Sequence, residues 1–307
     1  MQNKYIELKQ RRDLGGIIST YFDFFKYNLK SFTNIFISYN GIFIFLLLGV
    51  SYLLVTGFIG MANASSGLSN TTEDESLMYI GFGFLLFFVI FIAVAALNYS
   101  LASAYLITYN KERKIITDKK QVWAVVNKNI GKIIVFILLL VVIYIGVSIV
   151  NMIIGIIPLI GFFANLIVGF AVTAWFGVSF MVMLNENKNA SNAFGEGWNL
   201  VVGSFWKSVL VNLVLGFLVG ILLLQFMLVP GILIGVYSFH LVDTNINIGE
   251  SAVAKIIYII STCIFLVIFT YSQSLSQFIN GILYFSLHEG KYNIYTQERI
   301  NQIGSGD

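Results

Sequence analysis

The 307-residue chain is 58% hydrophobic and only 11% charged, where an ordinary soluble domain is about 25% charged. A soluble fold of this composition would have to clothe its surface in apolar side chains, and neither a disordered chain nor a nucleic-acid binder is so poor in charge. What remains is a polytopic membrane protein; its lone cysteine, Cys263, excludes a disulfide framework and any cysteine-based metal site.

In chain order, residues 1–15 read as a polar N-terminal tail. Lys4, Lys9, Arg11 and Arg12 lead into mixed polar sequence rather than the short apolar run of a signal peptide. A single membrane domain then covers 16–290, followed by a tail at 291–307. Over 16–38, Ile18, Phe22, Phe25, Leu29, Phe32 and Phe36 fall at alternating steps of four and three. This predicts an amphipathic helix with Asp23, Lys26 and Lys30 on its other face. Crossing the ~30 Å hydrocarbon layer takes roughly 20 mostly apolar residues. Six stretches meet that length: Gly41–Met61, Leu77–Tyr99, Ile133–Ile157, Leu159–Leu184, Ser208–Val229 and Ala254–Tyr271. None shows the polar/apolar alternation of a membrane barrel strand, so the fold class is all-α with six spans.

Two further amphipathic segments precede spans. At 118–131 the stripe is Val122, Val126, Ile130 and, just beyond, Ile133; at 190–206 it is Phe194, Trp198, Val202 and Phe205. In all three segments an aromatic stands nine residues before a lysine: Tyr21 and Lys30, Trp123 and Lys132, Trp198 and Lys207. One reading is a unit repeated three times, an interfacial helix, a bend and a membrane hairpin. The other is that any six-span protein gathers aromatic and basic residues at its span ends. On either reading Lys26, Lys30, Trp123, Lys132, Trp198, Trp206 and Lys207 are candidates to face the headgroups, where lysine suits an anionic leaflet. The segment at 230–241, PGILIGVYSFHL, is too short to span. It is expected to break from the preceding helix at Pro230 and lie half-inserted or interfacial, with Tyr237 and His240 in it.

Basic residues set the orientation. Alternate connections hold 17 of the 18 Lys and Arg, and Lys255 alone falls on the opposite side. The positive-inside rule therefore puts both termini in the cytoplasm.

The stretch Phe180–Gly216 reads FMVMLNENKNASNAFGEGWNLVVGSFWKSVLVNLVLG. It resembles the signature region of a bacterial membrane family: the membrane domain found fused to some glycerophosphoryl diester phosphodiesterases, and its stand-alone relatives of unknown function. In that family a span ends in an apolar run and an acidic residue, an alanine-led amphipathic helix follows, and an aromatic and a basic residue open the next span. Glu186, Ala193, Trp198, Phe205, Trp206 and Lys207 stand at the matching places. The resemblance implies six spans with short cytoplasmic helices. It does not imply the phosphodiester reaction, which would need a soluble domain with His, Glu and Asp metal ligands; two histidines occur in all.

Other chemistry is equally hard to assemble. The interiors of the first five spans carry no ionisable group, although such groups mark most transport and intramembrane catalytic sites. His288–Glu289 lacks the second histidine of a zincin helix. No metal or cofactor is expected, and no enzyme activity. Uncharged polar residues do occur. Asn151, Asn212, Gln273, Gln277 and Asn280 are candidates to line an uncharged polar path, the last three forming one stripe on the final helix; interhelical hydrogen bonding is the plainer role for such groups. The expected function is a scaffold or accessory subunit whose cytoplasmic face docks a protein partner or anionic lipid. The alternative is a transporter, channel or lipid-moving protein.

Overall fold

The computed structural model describes residues 5–65, 72–243, 251–294, 296–297 and 300–301. They form α-helices and no strand: α1 (Leu14–Ser65), α2 (Glu73–Glu112), α3 (Lys119–Lys128), α4 (Ile130–Gly155), α5 (Ile160–Asn185), α6 (Ala190–Val202), α7 (Phe205–Asp243) and α8 (Ala252–Tyr292). Six of these, α1, α2, α4, α5, α7 and α8, are long and apolar enough to cross a membrane. The chain is an all-α, multi-pass membrane protein whose spans meet the lipid bilayer.

Local chemistry sets several boundaries. Thr72 and Glu75 form a reciprocal capping box at the start of α2, Glu75 N donating to Thr72 Oγ1 at 3.3 Å and Thr72 N to Glu75 Oε2 at 3.4 Å. Glu73, Asp74 and Glu75 in that first turn also suit the positive end of the helix dipole. Asp118 caps α3 by accepting from Lys120 N at 2.9 Å, and Asn189 caps α6 by accepting from Asn192 N at 2.9 Å. Between α4 and α5 the chain turns at Pro158 and Leu159, the latter at φ 60°. Gly161 follows so closely on the end of α4 that a Cβ there would stand 2.3 Å from the Ile154 carbonyl oxygen, which only glycine permits.

Two expectations are corrected. The amphipathic helix predicted at 16–38 does not bend away from its span: α1 is one helix of 52 residues. The second and third segments are separate helices, α3 and α6, with interruptions at Asn129 and at Gly203–Ser204. Pro230 does not break the chain either, because α7 continues to Asp243; membrane helices tolerate proline where neighbours satisfy the freed carbonyl. The side chains of Pro230, Tyr237 and His240 lie outside the described residues.

The predicted stripes match the packed faces in part: Val122, Val126 and Ile133 are buried as expected, and so are Phe32, Phe36 and Phe194. In α1 the packed face also takes in Ile17, Tyr21, Phe24, Asn28 and Ile35, whereas Phe22 and Leu29 are 49% and 40% exposed. In α6 the buried residues include Ala193, Gly197, Leu200 and Val201, and Trp198 is 51% exposed. Large apolar residues here also face outward, as lipid allows, and small or polar ones mark the contacts.

Two compact units emerge. The first takes its described residues from Met1–Phe36, Asn98–Phe217 and Ser274–Asp307, the second from Ile37–Leu97 and Leu218–Gln273. The second has an apolar core of Leu47, Val50, Leu54, Ile90, Val94 and Leu266.

Candidate functional site

The first unit holds a set of buried and charged side chains that bond across helices. Its centre is a cluster of buried amides on α7 and α8 that bonds to α2 and α5. Gln277 on α8 donates from Nε2 to Ser103 Oγ of α2 at 2.7 Å and to the Gly177 carbonyl of α5 at 3.2 Å. One turn on, Asn280 accepts at Oδ1 from Asn212 Nδ2 of α7 at 3.0 Å, and the same Nδ2 reaches the Ser208 carbonyl. Close approach makes these bonds possible. A Cβ on Gly177 would fall 2.5 Å from Asn280 Cβ, so glycine lets α5 and α8 meet at this level. Gln277 Oε1, Asn212 Oδ1 and Asn280 Nδ2 are buried without a hydrogen-bond partner among the described residues. Each orphan of that kind costs about 1–3 kcal/mol where nothing compensates.

Beside it lies an aromatic cluster that anchors α1. Phe24 packs on Tyr105 and Phe278 with ring centroids 6.1 and 5.5 Å away, and Phe32 meets Phe278 at 4.5 Å. Asn28 accepts from the Tyr105 hydroxyl at 2.8 Å. This hydrogen bond selects which face of α1 turns inward.

A charged cluster ties the end of α8 to α5 and α6. Glu186 accepts from the Tyr284 hydroxyl at 2.8 Å and from Lys188 Nζ at 2.7 Å, and His288 Nε2 stands 3.5 Å from its other contact oxygen. Glu196 accepts from Lys291 Nζ at 3.0 Å and the Tyr292 hydroxyl at 2.7 Å. Burial works against the charge on Glu196, but Tyr292 and Lys291 together outweigh it and hold the carboxyl below its ordinary value. The hydrogen bond to Glu186 raises the Lys188 ammonium. The N-terminal segment is strapped down as well: Ile6 N donates to the Tyr109 hydroxyl at 2.7 Å, and Arg12 N to Ser286 Oγ at 2.9 Å.

The predicted headgroup residues divide into two kinds. Lys26 and Lys30 are exposed, as are Trp198 and Trp206, the latter at 61%. Trp123 is half-buried. Lys132 and Lys207 are engaged within the protein, Lys132 Nζ donating to the Asn187 carbonyl at 2.9 Å and its Oδ1 at 2.6 Å, and Lys207 Nζ to the Arg12 carbonyl at 3.0 Å. A further contact carries cations into the neighbourhood of Lys26 and Lys30. The Ser31 hydroxyl donates to the Ile116 carbonyl, which brings α1 against the α2–α3 connection with its exposed Lys111, Arg113, Lys114 and Lys120.

Of the candidate polar path, the structure brings Asn212, Gln277 and Asn280 together. Gln273 belongs to the second unit. Asn151 lies on α4, its Oδ1 buried with no hydrogen-bond partner among the described residues. Sequence reasoning missed Asn28, Tyr105, Tyr284 and His288 as partners. Their contacts join residues 77 to 102 positions apart, and no local spacing announces them. Among the described residues, no three His, Cys, Asp or Glu side chains converge to hold a metal ion. Comparison with protein-family models, with curated proteins and with solved structures finds no match to this chain.

Proposed function

We propose that the chain is a non-enzymatic scaffold or accessory subunit of a bacterial inner membrane, with both termini in the cytoplasm and its cytoplasmic face docking anionic lipid or a protein partner. The observation that carries this reading is the Ser31–Ile116 contact. Lys26, Lys30, Lys111, Arg113, Lys114 and Lys120 are all exposed and lie within about five positions of Ser31 or Ile116 along the chain, with the acids Glu112 and Asp118 among them. The segregation of 17 of 18 basic residues to one set of connections supports the same side for all of them. Each lysine near an anionic surface contributes about 1 kcal/mol, screened within a Debye length. The likeness of Phe180–Gly216 to the stand-alone relatives of the phosphodiesterase membrane domain accords with a membrane protein lacking that chemistry. The test is pull-down from bacterial membranes after mild crosslinking, with lipid analysis of the same sample. Enrichment of anionic lipid or of one defined protein is expected, sensitive to Lys26→Gln with Lys120→Gln; recovery of neither would remove the basis of the reading.

A second reading, an uncharged path for a transported molecule, draws on the unpaired atoms of Asn212, Gln277 and Asn280. Its check is a cysteine placed at Ser274, one turn from Gln277, in a Cys263→Ser background. Reaction with a membrane-impermeant thiol reagent favours the path, and inertness favours the scaffold.

A further inference from the structure

We infer that the groove between α4, α5 and α6 in the first unit binds one acyl chain of a phospholipid. The groove encloses about 570 Å³ and is lined by Val147 and Val150 of α4, Ala171, Val172 and Trp175 of α5, and Trp198 of α6. That volume lies within the range of ligand pockets, roughly 300–1,000 Å³, and far above the ~30 Å³ share of one water. No charged residue lines it. The Trp175 indole N–H is already donated to the Phe194 carbonyl at 2.9 Å, so that donor is not offered to a polar guest.

Gly146 adds no bulk to the α4 wall. It lines the groove, and a Cβ added there would meet nothing within 4 Å. Glycine inside a helix costs about 1 kcal/mol against alanine, and at Gly177 the close approach of Asn280 accounts for it. Gly146 has no such neighbour. Its smallness leaves room. The groove is also continuous with a surface that meets hydrocarbon. α4 and α5 are both spans, and Val142, Ile145 and Ile149 flank the α4 wall at 66%, 56% and 58% exposure. A void between such helices forfeits dispersion contacts that a lipid tail would supply. The inference rests on the spans themselves and is independent of the basic docking surface.

The full chain, reconstituted in phosphatidylcholine nanodiscs with a trace of phospholipid bearing an acyl-chain diazirine, is photolabelled and the adducts are mapped. Adducts are expected to concentrate on Val147, Val150, Ala171 and Val172. Gly146→Leu, whose Cβ would meet nothing within 4 Å, should fold as stably as wild type and reduce those adducts about tenfold, because its side chain takes the place of the tail and its dispersion contacts. Labelling of the outward-facing Val142 and Met152 should persist. Ala171→Leu, filling from the opposite wall, is expected to act alike, and Gly146→Ala to label nearly as wild type. Even labelling along α4, or groove labelling indifferent to both leucine variants, would overturn the inference. Replacing choline by glycerol headgroups should leave groove labelling unchanged. Labelling that required the anionic headgroup would also overturn it, while leaving the docking proposal standing.

Discussion

Hydroxyls return to their own helix in both units, Thr108 to Ala104 and Thr173 to Gly169 in the first, but the first adds amides and phenols that reach across. In the second, Ser51 donates to the Leu47 carbonyl at 2.7 Å, Thr270 to Val267 at 2.8 Å and Ser272 to Phe269 at 2.7 Å, each hydroxyl returning to its own helix. In the first, Gln277, Asn212, Tyr105 and Tyr284 each reach a different helix or connection. A hydroxyl satisfied on its own helix asks little of its neighbour, although Ser51 also bonds the Cys263 thiol of α8, so the second unit rests largely on apolar shape. Amides and phenols that reach across demand particular partners at particular heights. The difference teaches where one packing is specified: in the unit that also carries the exposed basic residues.

The contrast can be broken most forcefully through glycine. A Cβ on Gly197 in the first unit would stand 2.0 Å from Ser179 Oγ and 2.8 Å from Ser179 Cα, whereas one on Gly220 in the second would meet nothing within 4 Å. Gly197→Leu should therefore destabilise by about 3 kcal/mol, and Gly220→Leu should cost nothing or gain up to about 1 kcal/mol. The chain supplies its own reporters. All four tryptophans, at 123, 175, 198 and 206, belong to the first unit, and the one cysteine, the buried Cys263, to the second. Tryptophan fluorescence and thiol reactivity during denaturation thus read the units separately.

Next in size is Leu266→Ala, which opens a cavity in the apolar core of the second unit. A loss of about 2 kcal/mol is expected, at the low end for such truncations because lipid offers the unfolded side chain an apolar surrounding too. Cys263 should become reactive at lower denaturant while tryptophan emission responds less. Equal shifts in both probes would show that the contrast does not extend to stability.

Smaller effects belong to the polar contacts. Asn212→Ala and Asn280→Ala, alone and combined, should reveal a coupling of about 0.6–1 kcal/mol; strict additivity would mean that their hydrogen bond contributes nothing. The weakest is Glu196→Gln, under about 1 kcal/mol at neutral pH. Since the folded protein holds the Glu196 carboxyl below its ordinary value of 4.5, its contribution is present above that pH. It is lost as pH falls through the lowered value. Wild type should lose more stability than the Gln variant on acidification below pH 4.5, and parallel acid profiles would contradict the bonds from Lys291 and Tyr292. Lys188 behaves inversely: its raised ammonium supports folding fully below 10.5 and loses that support as pH rises further.

Much of this fold was legible in the sequence, because apolar length and helical period are local properties. The six spans and the separateness of α3 and α6 follow from them. Which face packs followed for α3, where Val122 and Val126 are buried, and only in part for α1 and α6. Phe22 and Trp198 carry as much apolar weight as the residues that are buried, and in a membrane that weight has two destinations, protein or lipid. Asn28 and Gly197 mark the inward faces, one through the Tyr105 hydroxyl and the other through the close approach of Ser179. Pro230 misled for a related reason, since a rule drawn from helices in water loses force where neighbours can satisfy the backbone. Of the candidate site, the stripe through Gln277 and Asn280 was readable, but the partners Asn212 and Ser103 are 68 and 174 residues away. The exposed lysines could be counted, yet their gathering depends on the Ser31–Ile116 contact across 85 residues.

The docking surface is tested most directly by placing a photo-crosslinking residue at Lys120 in otherwise native membranes, in wild type and in a Lys26→Gln/Lys30→Gln background. The account predicts adducts to anionic lipid or to one recurring protein, reduced when the two lysines of α1 are neutralised. Adducts to neither, or adducts unchanged by removing those charges, would contradict it.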